Sequence, residues 1–458
     1  MSTFPSTLFA GQCFAVVGLG KNGLPAAHAL IAMGAAVVAW DDSPAARGGA
    51  AGLTVQDPRE AGSRFDAVVL SPGIPHILPK PHPIAVWARK AGIPILTDAE
   101  ILFQAVRRAG SKALFVGITG TNGKSTTTAL LAHVLTGAGV PAVAGANLGP
   151  AALSLPLLPD NGVYVLEMSS YMLERLASIR FNVAAMLNLS VDHLDRHGDM
   201  DGYAMAKRAI FDRQDRHDLA VVGVDDARSR RMYSDVVDAG FSSAVTKTIS
   251  GTSPADVWCQ NGILRDAEGP ILAMAECPTL PGSHNAQNAA AVAAMATFLG
   301  VNRTAIAQGL RSYPGLPHRQ QLVGRVNGIS YINDSKATNA DAAQRALVCY
   351  DRPIWIAGGE AKEDGIVPLI PLFPRIAHTF LIGRDTPILA ATLRQHGAPF
   401  TEAGTLENAV KLAAVAAVDK KAPVVLLSPA CASWDQFTGY DQRGDRFAAL
   451  VRDLEGAR

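Results

Sequence analysis

The stretch that decides the fold reads Gly117-Ile118-Thr119-Gly120-Thr121-Asn122-Gly123-Lys124-Ser125-Thr126-Thr127-Thr128. It follows an apolar, strand-like run at residues 113–118 and opens a helix-like run at residues 126–135. A glycine turn between a strand and a helix frees backbone N–H groups, which bind phosphate together with the positive end of the helix. Lys124 is placed to reach the terminal phosphates and Ser125 to ligate Mg²⁺. The stretch therefore predicts a nucleotide site with contacts from Gly120, Thr121, Asn122, Gly123, Lys124, Ser125 and Thr126.

The loop departs from the strict phosphate-loop pattern at one position. Ile118 stands where that pattern has glycine, so Gly120 is the nearer glycine and the loop is a variant. The alternative interpretation is a glycine-rich turn with an exposed lysine. Strand, glycines, lysine, serine and helix occur in the order that phosphate binding requires, which favours the nucleotide site.

Composition limits the classes of protein to consider. The 458 residues predict two to four domains. Lysine and arginine number 41 against 40 aspartate and glutamate, so the net charge of +1 gives no general attraction to nucleic acid or to an anionic membrane. The five cysteines form no CxxC pair, and the alanine-rich run at residues 289–299 is shorter than the ~18 apolar residues of a spanning helix. We expect a reduced, cytoplasmic, monomeric protein without nucleic-acid or membrane partners.

A second glycine motif lies near the N-terminus. The stretch Gly18-Leu19-Gly20-Lys21-Asn22-Gly23 follows a strand-like run, and a further strand at residues 36–40 ends at Asp41-Asp42. This βαβ pattern with an acidic end is typical of dinucleotide sites. NAD, another ribose-and-pyrophosphate ligand such as a nucleotide sugar, and a simple packing turn all remain open. A strand at residues 67–70 ends in Ser71-Pro72-Gly73, at the sheet edge where such ligands bind.

Two strand ends after the phosphate loop carry candidate metal ligands. Glu167 ends the strand at residues 163–167, where phosphate-loop proteins place the acid that holds Mg²⁺ or its waters. An edge glutamate is the alternative. His193 follows the strand at residues 183–187 among acidic residues, which makes it a ligand candidate although a lone histidine is more often structural.

Lys207 is unusual because its helical run places it on an apolar face. Helical spacing aligns it with Tyr203, Ile210 and Phe211. A lysine on such a face usually extends its ammonium to water. The sharper hypothesis is a lowered pKa that frees the amine for chemistry.

The C-terminal part of the chain repeats the same architecture. Asn285 and Asn288 share a face of an alanine-rich helix, where Asn285 serves as an N-cap or both reach a nucleotide. Residues 314–319 read as a hinge into a third domain, in which strands end in Gly or Ser loops. Strands that alternate with helices predict a parallel α/β sheet in each of the three domains.

With these loops in place, the chain resembles the Mur ligases, the ATP-dependent amide-forming enzymes of peptidoglycan precursor synthesis. Their shared G-T-N-G-K-[ST]-T loop stands at residues 120–126 and their H-N-x-x-N pattern at residues 284–288. The stretches at residues 315–319, 333–339 and 428–444 resemble the members that add D-glutamate. The resemblance spans the whole chain.

The resemblance implies three α/β domains and one reaction. It predicts a Rossmann-like domain for the UDP substrate at residues 1–103, a central phosphate-loop ATPase domain at 104–315 and a Rossmann-like amino-acid-binding domain at 316–458. ATP would phosphorylate the carboxylate of UDP-N-acetylmuramoyl-L-alanine. The amine of D-glutamate would then attack this acyl phosphate, and a tetrahedral intermediate would collapse to amide, ADP and phosphate.

The resemblance also assigns roles to residues. Lys124 would stabilise the transferred phosphoryl group, Ser125 and Glu167 would hold one Mg²⁺ and His193 would lie at a second, while Lys207 would carry a CO₂-derived carbamate that supplies oxygen ligands. The nucleotide would contact Asn285, Asn288 and Arg319, with Asp334 on the ribose hydroxyls. The remaining assignments are substrate contacts: Gly20, Lys21, Asn22, Asp41, Asp42 and Gly73 for UDP, Asn147 for the muramoyl end, and Lys336, Thr338, Lys362, Ser433 and Tyr440 for D-glutamate.

Other functions compete with this interpretation. A related ligase that adds L-alanine, a diamino acid or a dipeptide, or a folylpolyglutamate synthase, would share the central loop, but residues 428–444 argue against each. A nucleotide-dependent switch would have no use for Glu167, His193 and Lys207 together. An NAD-dependent oxidoreductase rests on residues 18–23 alone.

Overall fold

The structure is a computed structural model that describes residues 3–238, 242–362 and 365–456. The described residues form three sheets and divide into two compact units. The first unit comprises the described residues up to Pro278 together with Ser283–Tyr313, and the second comprises Thr279–Gly282 and the described residues from Pro314 onward. Within these ranges no helix combines the length and the apolar run of a membrane span.

The first sheet is parallel throughout and has the order β3-β2-β1-β4-β5. Its elements are β1 (Cys13–Val17), α1 (Gly23–Ala32), β2 (Ala36–Trp40), α2 (Pro44–Gly48), β3 (Thr54–Val55), β4 (Ala67–Leu70), α3 (Pro83–Lys90), β5 (Ile95–Leu96) and α4 (Asp98–Arg108). The strand order reverses between β1 and β4, which opens a ligand crevice at their carboxyl ends. Helix α4 spans residue 104, where the sequence predicts a domain boundary; that boundary stays a prediction.

The second sheet has the order β14-β13-β12-β11-β10-β9-β6-β8-β7. It is parallel from β7 to β12 and ends in an antiparallel β12-β13-β14 meander, which accounts for the short strand-like pieces after residue 225. Its elements are β6 (Leu114–Thr119), α5 (Lys124–Gly137), β7 (Ala142–Ala146), β8 (Val163–Glu167), α6 (Ser170–Leu173), β9 (Val183–Met186), α7 (Leu194–His197), α8 (Met200–Arg208), β10 (Leu219–Gly223), α9 (Ala227–Asp238), β11 (Val245–Ser250), β12 (Val257–Gln260), β13 (Ile263–Asp266), β14 (Gly269–Ala273), α10 (Ser283–Phe298) and α11 (Arg303–Ser312). Because β6 lies between β8 and β9, their carboxyl ends bring the phosphate loop and Glu167 to one edge.

One apolar core joins the first two sheets. Leu30 of α1, Leu102 of α4 and Phe115 of β6 are buried in the same cluster. Phe115 stacks on Tyr164 of β8 with ring centroids 4.8 Å apart. This shared packing fixes the loops of the two sheets relative to each other.

The second unit contains the third sheet, in the order β15-β16-β20-β17-β18-β19. Only β15 runs antiparallel to its neighbour. Its elements are β15 (Gln321–Val326), β16 (Ile329–Asn333), α12 (Ala340–Leu347), β17 (Ile354–Gly358), β18 (His378–Ile382), α13 (Thr386–Gln395), β19 (Phe400–Gly404), α14 (Leu406–Asp419), β20 (Val424–Leu427) and α15 (Tyr440–Gly456). Ile354 and Ile356 are buried in one apolar cluster while Trp355 and Ala357 are buried in another. Both faces of the sheet are therefore covered, as expected for parallel strands.

Candidate active site

The phosphate loop has the conformation that its glycines permit. Gly123 has a φ of +84° and caps the N-terminus of α5, and a Cβ there would lie 2.4 Å from Oδ1 of Asn288. Lys124 Nζ donates to the carbonyl oxygens of Gly120 and Thr121 at 2.9 and 2.8 Å. Ser125 is buried at the start of the helix. The first turn of α5 thus presents N–H groups, a hydroxyl and a nearby ammonium, which is a donor set for phosphate.

Two N–H groups of the loop are already engaged inside the protein. The backbone N–H of Thr121 donates to the carbonyl oxygen of Asn188 at 2.9 Å. The backbone N–H of Asn122 donates to the side-chain Oδ1 of Asn188, also at 2.9 Å. In contrast, Nδ2 of Asn122 is buried and has no hydrogen-bond partner within the described residues. A buried donor without a partner fits an anionic ligand at this loop.

Lys207 is buried beside the phosphate loop. Its Nζ donates to the carbonyl oxygen of Gly120 at 2.7 Å and lies 4.7 Å from the ring centroid of Tyr203. Burial, together with the positive charge of Lys124, lowers the pKa of the Lys207 amine well below its usual value. The sequence hypothesis of a lysine on an apolar face with a lowered pKa therefore has a physical counterpart.

Glu167 ends β8 with one carboxylate oxygen engaged and one unpaired. Its Oε1 accepts from Nδ2 of Asn147 at 2.7 Å, while Oε2 is buried and without a partner in the described part of the chain. An unpaired buried carboxylate oxygen fits a bound cation. Residues 3–238, 242–362 and 365–456 hold no group of three His, Cys, Asp or Glu suited to a metal. A metal at Glu167 would therefore draw further oxygen ligands from a hydroxyl, the nucleotide, water or a modified Lys207.

His193 stands at the start of α7 in the left-handed region, with a φ of +52°. Its Nδ1 lies 2.8 Å from the hydroxyl of Tyr171, and Nε2 lies 3.4 Å from Asp192. Burial lowers the pKa of the imidazole, with the charges of Lys207 and Lys124 acting in the same direction. Tyr171 was not predicted from the sequence; its only signal is its position four residues after Glu167, in the short helix α6 that follows β8.

A cavity of about 480 Å³ lies at the carboxyl ends of β1 and β4. Its lining includes all six residues predicted to hold UDP, namely Gly20, Lys21, Asn22, Asp41, Asp42 and Gly73. Oδ2 of Asp41 accepts from the backbone N–H of Leu19 at 2.7 Å, and Oδ2 of Asp42 lies 3.0 Å from Nε2 of His82. The motif is thus part of a cavity rather than a packing turn alone.

Two arginines support this cavity: Arg175, in the turn after α6, and Arg196, in α7. Neither was predicted from the sequence. Arg175 Nη1 donates to the carbonyl oxygen of Leu70 at 2.7 Å, and Arg196 Nη2 donates to that of Ile74 at 3.1 Å. Both guanidinium groups hold the loop that follows β4. Because Arg196 follows His193 by three residues, the candidate metal site and the UDP cavity are connected.

Helix α10 lies against the phosphate loop. Asn288 Nδ2 donates to Oδ1 of Asn285 at 3.0 Å, and both side chains are buried. The close approach of Asn288 to Gly123 brings the H-N-x-x-N pattern beside the loop. The two asparagines thus share a face, as their spacing predicts.

In the second unit, Asp334, Lys336, Thr338, Lys362 and Ser433 follow the carboxyl ends of β16, β17 and β20, while Arg319 precedes β15 and Tyr440 begins α15. Oδ2 of Asp334 accepts from the Ser428 hydroxyl at 2.7 Å, and burial raises the pKa of Asp334 to about 7, with the charge of Arg319 opposing the rise. Lys336 Nζ lies 5.0 Å from the ring centroid of Tyr440. The others are Thr338, whose N–H donates to the carbonyl oxygen of Lys336, Ser433, which is buried, and Lys362, which is exposed.

Arg443 holds these loops together. Its buried guanidinium donates to the hydroxyl and carbonyl oxygens of Ser335 at 3.0 and 2.9 Å and to the carbonyl oxygen of Cys431 at 3.1 Å. Burial lowers its pKa to about 10. Arg443 lies within the stretch at residues 428–444, but no role was predicted for it, because its partner Ser335 is 108 residues away in the sequence.

Comparison with known proteins identifies the relatives of this chain. The Mur ligase middle domain matches residues 118–296. The UDP-N-acetylmuramoylalanine–D-glutamate ligase of Paramagnetospirillum magneticum is 50% identical over 98% of this chain and 98% of its own length. That of Rhodospirillum rubrum is 46% identical over 99% and 97%. The crystal structure of UDP-N-acetylmuramate–alanine ligase from Thermotoga maritima shares the fold, with a TM-score of 0.62, 18% identity and coverage of 98% and 100%.

These relatives match the chain over all three sheets, so the resemblance predicted from the loops is confirmed. The fold class, a set of largely parallel sheets with flanking helices, is confirmed as well. The chain belongs to the Mur ligase family, in the group of UDP-N-acetylmuramoylalanine–D-glutamate ligases.

Proposed function

We propose that this protein uses ATP to join D-glutamate to UDP-N-acetylmuramoyl-L-alanine through an amide bond, in the synthesis of peptidoglycan precursors. One observation carries the proposal for the site: the Lys207 amine is buried 2.7 Å from the carbonyl oxygen of Gly120 in the phosphate loop. Burial of an ammonium group is costly, so burial favours the neutral amine, which is the reactive form. A nucleotide switch has no need of it, whereas a ligase uses an additional anion to hold Mg²⁺.

The residues of the first unit divide the phosphoryl transfer among them. The first turn of α5 and Nδ2 of Asn122 would bind phosphate oxygens, and Lys124 would exchange its carbonyl partners for the transferred phosphoryl group. ATP and Mg²⁺, when bound, supply the phosphoryl group and neutralise its charge. Glu167 and Ser125 would hold one ion, and His193 would lie at a second.

Lys207 would act as a carbamate. The neutral amine attacks CO₂, a nitrogen–carbon bond forms as one carbon–oxygen π bond opens, and one proton leaves to solvent, so that the neutral amine becomes a carbamate anion with two oxygen ligands. The lowered pKa of Lys207 supports this step because only the unprotonated amine reacts. The carboxylate so formed would suit the oxygen preference of Mg²⁺.

The substrates would bind at two further places. The UDP group would occupy the cavity at Gly20, Lys21, Asn22, Asp41, Asp42 and Gly73, with Asn147 at the muramoyl end. The D-glutamate carboxylates would meet Lys336, Thr338, Lys362, Ser433 and the Tyr440 region, while Arg319, Asp334, Asn285 and Asn288 would contact the nucleotide. Cationic and hydroxyl groups suit a substrate with two negative charges. We propose domain limits of 1–103, 104–315 and 316–458 and a cytoplasmic monomer.

Phosphate release tests the function directly. The protein is incubated with ATP, Mg²⁺ and UDP-N-acetylmuramoyl-L-alanine, and D-glutamate, L-glutamate, L-alanine and a diamino acid are compared as acceptors. We expect release with D-glutamate alone, in step with amide product. Phosphate release with another acceptor would support the ligase mechanism but show that the acceptor is not D-glutamate alone. No release with any acceptor would favour the nucleotide-switch alternative.

A further inference from the structure

A chain of partly buried hydrogen bonds runs from Asp225 to the phosphate loop. Oδ2 of Asp225 accepts from Nε2 of Gln287 at 2.6 Å, and Oε1 of Gln287 accepts from Nδ2 of Asn188 at 3.1 Å. Asn188 then pairs with the backbone of Asn122, since its Oδ1 accepts from the N–H at 2.9 Å and its Nδ2 donates to the carbonyl oxygen at 3.1 Å. None of these contacts requires a bound nucleotide.

The carboxylate at one end fixes the direction of every amide in the chain. A carboxylate only accepts hydrogen bonds, so the NH₂ group of Gln287 must face Asp225 and its oxygen must face Asn188. The NH₂ group of Asn188 must then face Gln287, which leaves its oxygen for the N–H of Asn122. If the amide of Gln287 or Asn188 were reversed, a donor would face a donor or an acceptor would face an acceptor at a partly buried contact.

Asp225 and Gln287 are both held in place by further contacts. Asp225 also accepts from the Ser250 hydroxyl, from the Gly251 N–H at 2.9 Å and from the Thr252 hydroxyl at 3.0 Å. A Cβ at Gly223 would lie 3.1 Å from Nε2 of Gln287, so the amide packs directly on the backbone of β10. Gln287 itself is only 4% exposed.

We infer that Gln287 is a positioning residue for the phosphate loop: through Asn188 it fixes the backbone of Asn122 and so pre-forms the loop for nucleotide. The inference rests on the proposed nucleotide site. Gln287 lies on α10 between Asn285 and Asn288, so one helix would supply both nucleotide contacts and the support of the loop. Because a pre-formed loop loses less conformational entropy when nucleotide binds, its affinity for nucleotide is higher.

The first test compares nucleotide binding by Gln287→Glu and by the wild-type protein. The variant keeps size and shape, but it removes the donor and places a second carboxylate against Asp225. We expect the Kd for Mg²⁺-ADP, measured by calorimetry, to rise about tenfold, the effect of losing one buried hydrogen bond. The Kd for UDP-N-acetylmuramoyl-L-alanine should stay within twofold. Gln308→Glu, at an exposed position of α11, is the matched control and should change neither constant.

The second test observes the loop without any ligand. Hydrogen exchange of the peptide that contains residues 120–126 should become several-fold faster in Gln287→Glu and in Gln287→Met, while peptides of β10 keep their rates. Faster exchange throughout the chain would mean general destabilisation and would overturn the inference. Unchanged exchange at residues 120–126, or an unchanged Kd for ADP, would overturn it too. A wild-type protein that does not bind ADP would instead refute the proposed nucleotide site.

A swap variant provides an independent check. In Asp225→Asn with Gln287→Glu, the new amide donates to the new carboxylate, so donor and acceptor are exchanged at the first step, although the Gly251 N–H loses its acceptor. We expect this double variant to bind ADP at least threefold more tightly than Gln287→Glu alone. Losses that simply add would contradict coupling through this contact.

Discussion

The hydroxyl of Tyr171 lies 2.8 Å from Nδ1 of His193, and the guanidinium carbon of Arg196 lies 4.6 Å from the centroid of the Tyr171 ring. The hydroxyl therefore fixes the orientation of the imidazole, and with it the direction of Nε2. A ring nitrogen held in this way presents the other nitrogen to a ligand at a fixed angle.

Replacing Tyr171 with phenylalanine tests this contact. The ring and its packing remain, but the imidazole loses the partner of Nδ1. We expect kcat to fall about three- to tenfold, the effect of one lost hydrogen bond, with KM for the UDP substrate nearly unchanged. Steady-state phosphate release measures both constants. Tyr233→Phe in α9 is the matched control; a variant at Tyr171 with wild-type kcat would show that this contact is dispensable.

Lys207→Ala tests the carbamate. We expect turnover to be abolished, because Mg²⁺ loses oxygen ligands, and to be partly restored by formate or acetate, which fit the space of the missing side chain. Phosphate release with and without these carboxylates measures the effect. Lys247→Ala, at an exposed position of β11, serves as the control. Full activity of the Lys207 variant in CO₂-depleted buffer would rule out the carbamate role.

Asp334 makes the stability of the protein depend on pH. Its pKa is raised to about 7 in the folded state from 3.8, so the folded state binds more protons between these values. The contribution of this group to stability is complete below about pH 4 and is lost as the pH rises toward 7. We expect Asp334→Asn to remove this loss, so that the variant gains stability relative to wild type from pH 5 to pH 8. Urea unfolding of both proteins at pH 5 and pH 8 measures the difference in free energy of unfolding. A difference that is the same at both pH values would contradict the raised pKa.

Arg443→Lys tests the hydrogen bonds that the buried Arg443 guanidinium makes in the second unit. A lysine ammonium cannot reach the oxygens of Ser335 and Cys431 with the same planar geometry, which leaves buried acceptors unpaired. We expect the free energy of unfolding of the second unit to fall by about 2–4 kcal/mol. Arg446→Lys, whose ion pair with Glu407 is partly solvent-exposed, should cost less than about 1 kcal/mol. Equal losses of unfolding free energy at both positions would show that burial of the Arg443 guanidinium adds nothing to stability.

Several elements were predictable from local sequence because local rules govern them. The strands Ala36–Trp40, Ala67–Leu70 and Val163–Glu167 have the predicted bounds, since an apolar run closed by Ser or an acid leaves few alternatives. The glycines of the phosphate loop were recognisable because each meets a local backbone requirement.

Other bounds differ where tertiary contacts decide them. Helix α5 begins at Lys124 rather than at residue 126, because Gly123 itself adopts the left-handed turn that starts the helix. Helix α8 ends at Arg208 and continues as a 3₁₀ turn at Ala209–Phe211, which buries Ile210 and Phe211 in the core.

The sequence by itself determined the class of fold, the phosphate loop and the family, because these depend on residue types at short spacing. Only the tertiary structure decided which partners complete the site. Tyr171 on His193, Gln287 and Asn188 behind Asn122, and Arg443 on Ser335 all act through contacts that span 22 to 108 residues. Such contacts arise when parallel strands bring their carboxyl ends to one edge, and no periodicity within a single segment encodes them.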